Sequence, residues 1–213
     1  MQTRRHFAKV AFGSILVGNA LLGLSSWTRW LWAATRKVLA AGTDWKSLIH
    51  EDPAKLDTTN LEITPLEKFE TMGPTDRVVD PAEWRLEVTG QVGQPLSFTY
   101  AQLTALPPIE RNVLLICPGV FANHGRWKGI SLQHILQQAN FDRAASRVAF
   151  EERGGKSASY PLADVLSSKV FLAYQVNGMP LPRKHGFPLR VVAEDYFGAE
   201  WVKYVSRVRV EKG

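Results

Sequence analysis

Cysteine is almost absent from this sequence, since Cys117 is the only one among 213 residues. A single cysteine excludes an internal disulfide, so no covalent crosslink stabilises the fold. It also excludes an iron–sulfur cluster held by several cysteines and a Cys-x-x-Cys-His haem attachment site. The thiol of Cys117 is therefore buried and inert, paired with another chain, or used in chemistry.

Acidic residues are absent from residues 1–41, which carry six basic ones: Arg4, Arg5, Lys9, Arg29, Arg36 and Lys37. The formal net charge of +6 comes entirely from this segment, because 20 Lys and Arg face 20 Asp and Glu from Gly42 onward. An evenly charged body lacks the basic surface by which proteins bind nucleic acid, so no nucleic-acid partner is expected.

The order of residues in the basic segment is that of an export signal. The stretch Thr3-Arg4-Arg5-His6-Phe7-Ala8-Lys9 places paired arginines, an aromatic residue and a lysine before an apolar run at residues 10–27. It predicts a twin-arginine signal peptide over residues 1–41, carried by the twin-arginine translocase, and hence a periplasmic protein. The residues Val38-Leu39-Ala40 resemble a signal-peptidase site with small side chains, which favours cleavage there. The alternative is a retained N-terminal membrane anchor, because the apolar run is just long enough to span a bilayer.

The rest of the chain has the size of one domain and an α+β pattern. Residues 42–83, with charged residues and prolines that include Pro53, Pro65 and Pro74, predict an irregular N-terminal arm, and residues 84–213 the domain itself. The alternation and apolar runs predict strands at residues 84–88, 96–98, 113–116, 147–150, 170–176 and 204–210. Short helices are predicted at residues 100–106, after Ser131 and at residues 161–166, and a loop at residues 118–129.

Six motifs appear in a fixed order in the second part of the chain. They are Trp84-Arg85-Leu86-Glu87-Val88-x-Gly90, Cys117 at the end of a strand, Trp127-Lys128-Gly129-Ile130-x-Leu132, Asn177-Gly178-x-Pro180-Leu181, His185-Gly186-Phe187-Pro188-Leu189-Arg190 and Gly198-Ala199-x-x-Val202-Lys203. Together they resemble the molybdopterin-binding domain of the sulfite oxidase family, a single domain of mixed sheets with short helices. The short interval between Cys117 and Trp127 resembles the periplasmic protein-methionine-sulfoxide reductase branch of that family more than the sulfite oxidases.

The resemblance implies that the chain is a molybdopterin-dependent oxidoreductase. Cys117 is then the protein ligand of molybdenum, bound through its thiolate beside the sulfurs of molybdopterin. The implied reaction is two-electron oxygen-atom transfer, in this branch the reduction of an S-oxide or N-oxide such as methionine sulfoxide, with oxidation of sulfite as the alternative. Because the sequence offers no haem or iron–sulfur motif, the electron partner is expected to be a membrane haem-b protein or a soluble cytochrome.

The resemblance also implies which residues bind the cofactor. Its phosphate is expected to meet basic side chains and backbone N–H groups near the C-terminus, and its pterin to meet an N-terminal segment. The expected cofactor-binding residues are Phe69, Glu70, Cys117, His185, Arg190, Trp201, Val202 and Lys203.

Two residues of the predicted loop are candidates for handling protons or substrate. His124 can exchange a proton near neutral pH, and Arg126 stays charged, so both are predicted to be catalytic together with Cys117. The acids Glu194 and Asp195 are expected near the metal, where they would repel anionic sulfite.

Two other classes of protein stay open at this point. One is a cysteine-nucleophile enzyme in which His124 is the base for Cys117, and the other is a metal-free periplasmic binding module that kept the fold. Metal content and thiol reactivity together separate the three hypotheses: only the molybdopterin enzyme contains molybdenum, and of the two metal-free proteins only the cysteine-nucleophile enzyme has a reactive thiol.

Overall fold

The computed structural model of this protein describes residues 35–153 and 155–213. The twin-arginine motif at residues 3–9 and the apolar run at residues 10–27 lie outside the described residues. Within the described part of the chain, no helix combines the length and apolar character needed to cross a membrane.

In the described residues, strands outnumber helices, and the helices are short. The strands found in the described ranges are β1 (Lys37–Val38), β2 (Leu56–Asp57), β3 (Arg85–Gly90), β4 (Leu96–Thr99), β5 (Pro108–Cys117), β6 (Phe121–Ile130), β7 (Arg147–Glu152), β8 (Ser157–Pro161), β9 (Val170–Val176), β10 (Met179–Pro180), β11 (Arg190–Ala193) and β12 (Val205–Glu211). The α-helices are α1 (Tyr100–Thr104), α2 (Leu132–Gln138) and α3 (Leu162–Leu166), and 3₁₀ turns lie at Trp45–Leu48, Pro53–Lys55, Leu66–Lys68, Arg183–His185 and Gly198–Glu200. This composition confirms the predicted α+β class.

The strands form two five-stranded sheets and one small two-stranded sheet. The first large sheet has the order β10-β9-β6-β5, β11 also pairs with β9, and every pairing is antiparallel. The second has the order β4-β3-β12-β7-β8, in which β3 and β12 run parallel and the other pairs antiparallel. The main hydrophobic core contains side chains from both sheets, among them Trp127, Phe150 and Val208.

Several elements form where local sequence signals predict them. Helix α2 begins after Ser131, whose side chain accepts a hydrogen bond from the Gln133 N–H (3.3 Å), and its apolar face is buried. The turn between β9 and β10 places Asn177 and Gly178 at φ 52° and 79°, the left-handed conformation that these two residue types tolerate best. The corresponding sequence predictions are confirmed.

The prediction of a loop at residues 118–129 is wrong. Residues 121–130 form β6, which pairs with β5 over ten residue pairs from Cys117↔Phe121 to Pro108↔Ile130, and only residues 118–120 turn the chain. Strand β6 cannot be recognised from the hydrophobicity of its sequence, because polar residues interrupt the apolar ones. Asn123 and His124 are buried, and backbone and side-chain groups of residues 62–70 provide their hydrogen-bond partners.

The β5–β6 hairpin separates two environments because successive side chains of a strand point to opposite faces. On one face, Val113, Leu115 and Phe121 join the main core. On the other, Leu114, Ile116 and Ala122 pack in a second cluster with Leu39, Leu48, Leu56 and Leu61, which precede the domain in the chain. We refer to these as the cavity face and the arm face of the hairpin.

Candidate active site

A cavity of about 250 Å³ lies at the Cys117 end of the cavity face. Its walls come from the arm segment at residues 70–74, the hairpin, the loop after β7, and residues 198–204. Five of the residues predicted from sequence line it together: Glu70, Cys117, Arg190, Trp201 and Lys203. The fold therefore brings into one place residues that are more than 130 positions apart in the sequence.

Cys117 is the last residue of β5, and its half-buried thiol lines the cavity. Burial raises the pKa of the thiol, and the positive charge of Lys156 opposes that rise. The free thiol is thus neutral near pH 7, and a bound cation would be needed to stabilise the thiolate. Elsewhere in the described chain, no cluster of three or more His, Cys, Asp or Glu side chains is placed to hold a metal ion.

Arg190, the first residue of β11, is a buried cation. Its guanidinium lies over the rings of Trp127 and Trp201, 5.0 and 5.4 Å from their centroids, and donates to the His185 carbonyl at 3.1 Å. No carboxylate of the described residues pairs with it, and burial lowers its pKa to about 10. A buried charge without a counterion is costly, so the arrangement fits an anionic group that enters the cavity.

Lys203 provides a second positive charge in the same cavity. Its Nζ donates to four oxygens: Thr71 Oγ1 (2.6 Å), Met72 O (2.9 Å), Lys184 O (2.9 Å) and Pro74 O (3.1 Å). All four acceptors are neutral, so the charge of the ammonium is not compensated by them. Burial, with the nearby charge of Arg190, lowers the pKa of Lys203 to about 8.

The residues just before Lys203, Trp201 and Val202, were also predicted to bind the cofactor, and of these two only Trp201 lines the cavity. Trp201 already donates its N–H to Gly198 O at 3.2 Å, whereas the N–H of the fully buried Val202 has no acceptor among the described residues. Gly198 allows this segment to approach β5, since a Cβ there would lie 2.9 Å from Leu115 Cδ2. The two cations without counterions are the donors expected for the cofactor's phosphate.

His185 and Phe69 lie behind the cavity wall. The His185 side chain is 1% exposed, meets the edge of Phe69 at 5.8 Å between ring centroids, and leaves Nε2 without a partner. Burial, helped by the charges of Arg190, Lys184 and Lys203, lowers the pKa of His185 to about 3, so the ring is neutral. Neither His185 nor Phe69 lines the cavity, so their predicted contact with the cofactor stays a prediction.

Glu70 is held in the cavity wall by a residue that sequence reasoning missed. The Asn123 side chain accepts from Glu70 N–H at 3.2 Å and donates through Nδ2 to Glu70 O at 2.8 Å. Asn123 is 3% exposed and also lines the cavity. A buried amide that bonds both backbone groups of one residue fixes that residue's position. Once residue 123 is known to lie on a strand, two positions from Phe121 and on the same face, its role could be anticipated.

Lys156 and Glu152 are two further lining residues that no sequence motif revealed. Glu152 ends β7, is largely buried, and pairs with Arg77. Lys156 follows it, donates to Ala199 O through Nζ, and stands close enough to Cys117 to influence its thiol. They reach the cavity through the turn between β7 and β8, which is not apparent from local sequence.

The structure does not bring His124 or Arg126 to the cavity. His124 faces Leu114 across the hairpin on the arm face, is fully buried, and has Nδ1 3.1 Å from Glu62 O. Burial lowers the pKa of His124. Arg126 lies on the same face with its side chain 52% exposed. The reason is strand periodicity: both occupy even-numbered positions, whereas Cys117, Phe121 and Asn123 are odd.

The acidic pair Glu194 and Asp195 also lies away from the cavity lining. Glu194 pairs with Arg111 at 2.5 Å, and Asp195 pairs with Arg36 at 2.6 Å and Lys169 at 3.0 Å. The expectation that these acids repel an anion at the metal is therefore wrong, because basic partners neutralise both.

Comparison with known proteins gives three findings. Residues 72–213 match the family model described as the oxidoreductase molybdopterin binding domain. Human mitochondrial sulfite oxidase is 35% identical over 193 residues, which cover 76% of this chain and 35% of that protein. Nitrate reductase (NADH) 2 of Phaseolus vulgaris is 28% identical over 179 residues, covering 68% of this chain and 20% of that protein.

A solved structure agrees in fold. The sulfane dehydrogenase SoxCD from Paracoccus pantotrophus superposes with a TM-score of 0.61 at 20% identity, covering 95% of this chain and 56% of that chain. This chain spans about a third of the length of the sulfite oxidases it matches. The likeness to SoxCD confirms the single-domain fold.

The family match and the geometry point to the same group. A molybdopterin carrying molybdenum, the cofactor predicted from sequence, would find a sulfur ligand in Cys117 and cations for its phosphate in Arg190 and Lys203. With two thirds of its length matched by one family model, the chain belongs to the molybdopterin-binding oxidoreductase domains of the sulfite oxidase family.

Proposed function

We propose that this protein is a periplasmic molybdenum oxidoreductase that transfers an oxygen atom with two electrons. The observation that carries the proposal is that the only cysteine and two cations without counterions face one cavity. When bound, molybdopterin supplies a metal that changes oxidation state by two electrons and exchanges an oxygen atom with the substrate. The chain's own residues bind and orient this group.

Each residue has a task that follows from its surroundings. Cys117 would give up its proton and bind the metal as a thiolate. Arg190, whose guanidinium lies over two indole rings, is held in place by these contacts and so would fix the phosphate end. Asn123 would hold the Glu70 backbone against the pterin.

We propose an S-oxide or N-oxide such as methionine sulfoxide as the substrate. Near Cys117 the cavity has apolar walls from Leu115, Phe121 and Trp201, which suit a neutral molecule with a hydrocarbon body. The two deepest cations are expected to hold the phosphate, so they would not attract substrate. In this reaction the S–O bond breaks, and two electrons and two protons convert the sulfoxide to sulfide and water.

Oxidation of sulfite is the second candidate, and Lys156 favours it. This cation lies near the Cys117 sulfur on the open side of the cavity and would attract a small anion. The relatives named sulfite oxidase support the same direction. There, sulfite gains an oxygen atom from water and releases two electrons and two protons.

Electrons would pass between the molybdenum and a separate protein. We propose a membrane haem-b protein or a soluble cytochrome, because the sequence has no cysteine besides Cys117 with which to bind a further redox centre. The periplasmic location rests on the twin-arginine motif at residues 3–9.

The test combines metal analysis with a substrate panel. Purified protein is expected to contain molybdenum and pterin in equimolar amounts and to oxidise a reduced dye with methionine sulfoxide, while Cys117→Ser gives the background rate. Sulfite is tested with an oxidised dye. Turnover of sulfite but of no S-oxide or N-oxide would establish the second candidate, and a protein free of molybdenum would refute both.

A further inference from the structure

Residues 37–39 form an integral part of the folded domain. Strand β1 pairs in parallel with β2, through Lys37↔Leu56 and Val38↔Asp57, and Leu39 N–H donates to Asp57 O at 3.0 Å. Leu39 is 3% exposed and belongs to the cluster beneath the arm face of the hairpin. A backbone that is paired in this way and a side chain buried to this degree are inaccessible to a protease.

Basic residues of the same segment bind the domain at two more points. Arg36 forms a two-pronged ion pair with Asp195, with Nη1–Oδ1 at 2.9 Å and Nη2–Oδ2 at 2.6 Å. Lys37 Nζ lies 2.7 Å from Glu51 Oε1. Asp195 has a side chain only 8% exposed, and without Arg36 it would keep Lys169 as its one basic partner. Loss of a partner from a nearly buried carboxylate is destabilising.

We infer that residues 36–39 belong to the mature domain and that the export signal is processed before Arg36, so that Val38-Leu39-Ala40 is not the cleavage site. The part of the inference that concerns processing rests on the proposed export. Because the twin-arginine route carries folded proteins, the peptidase would meet this segment with β1 already paired and Leu39 already buried. On this inference the signal peptide ends before Arg36 and does not extend to residue 41.

The segment also supports the cofactor site indirectly. Asp195 follows β11 by two residues, and β11 begins with Arg190. Arg36 therefore braces the chain just beyond the strand that carries the buried cation. Cleavage after Ala40 would remove this brace together with β1.

The first test is the N-terminus of the exported protein. The full chain is expressed, recovered from the periplasm, and its intact mass measured. An N-terminus at or before Arg36 is the expected result, and an N-terminus at Ala41 would overturn the inference. An unprocessed chain would overturn the statement that the signal is processed before Arg36, and the second test would then decide whether residues 36–39 belong to the folded domain. If no protein reaches the periplasm, the export proposal fails and the second test decides the inference.

The second test compares neighbouring residues of the full chain. Leu39→Ala removes a buried side chain and is expected to lower the melting temperature by about 5–10 °C. Val38→Ala is the matched control, since Val38 is 60% exposed, and should change it by less than about 2 °C. Equal, small shifts for both variants would show that the segment is not part of the folded domain and would overturn the inference.

Discussion

The two faces of the β5–β6 hairpin have the same backbone but different coverings. The cavity face presents Cys117 and Asn123 to a space bordered by cations. The arm face presents Ile116 to apolar side chains of the preceding segment and His124 to the Glu62 carbonyl, away from the cavity that Cys117 lines. Residues one position apart are therefore in opposite environments. Successive side chains of a strand point to opposite faces, so odd-numbered and even-numbered residues of the hairpin have different surroundings. Neighbouring polar residues therefore need not share a function.

Replacing the sulfur at the end of the cavity face should have the largest effect. Cys117→Ser is expected to lower turnover by more than about 100-fold, because even outer-shell partners of a metal contribute 10–100-fold and a hydroxyl is a poor substitute for a thiolate. The measurement is the dye-linked rate with pterin content determined in parallel. Val120→Ser, on the exposed turn next to Cys117, is the control. Full activity in Cys117→Ser would disprove ligation by this residue.

Removing the buried charge of Arg190 should weaken cofactor binding without lowering the stability of the fold. Arg190→Met keeps the length of the side chain beside the two indole rings but deletes the charge. Cofactor occupancy is expected to fall about 10–100-fold, the value of a charged hydrogen bond, whereas the melting temperature should stay level or rise because an uncompensated buried charge is gone. Arg209→Met, on the exposed side of β12, is the control. Unchanged occupancy would mean that Arg190 does not hold the phosphate.

The comparison between neighbours on β6 can be tested directly. Asn123→Ala loses both hydrogen bonds to Glu70 and should release the pterin about 10-fold faster, with faster hydrogen exchange at residues 70–74. His124→Leu, opposite Leu114 on the arm face, should leave the release rate unchanged. Pterin fluorescence in the filtrate measures both rates. Equal effects of the two variants would contradict the division between the faces.

Sequence patterns predicted most of this fold and the centre of the site, for identifiable reasons. Helix α2 and the Asn177–Gly178 turn follow from local capping and turn chemistry. Cys117, Arg190 and Lys203 were found through spaced motifs. Strand β6 was missed because the hydrogen-bond partners of its buried polar residues lie more than fifty positions earlier in the chain. A local sequence pattern contains no information about such distant partners.

The misplaced residues share one cause. His124 and Arg126 were chosen by their chemistry near Cys117 in sequence, but the side of the hairpin depends on knowing that they lie on a strand. Glu194 and Asp195 were expected near the metal from their position in the family pattern, and the ion pairs that neutralise them could not be anticipated because Arg111 and Arg36 are distant in sequence. In both cases the deciding contact is a tertiary one.

Acid should destabilise the protein through buried histidines on both sides of the hairpin. Folding lowers the pKa of His185 from 6.5 to about 3, so between these values the unfolded chain binds one more proton. Stability is therefore fully present above pH 6.5 and falls with decreasing pH, by a few kcal/mol at pH 3. The shift arises from burial and from the facing charges of Arg190, Lys184 and Lys203. Urea unfolding of His185→Gln should show a shallower decline with acid than the native chain, whereas the exposed His134→Gln should not. Parallel declines in all three proteins would show that His185 can be protonated without cost, and so that it is not sealed behind the cavity wall.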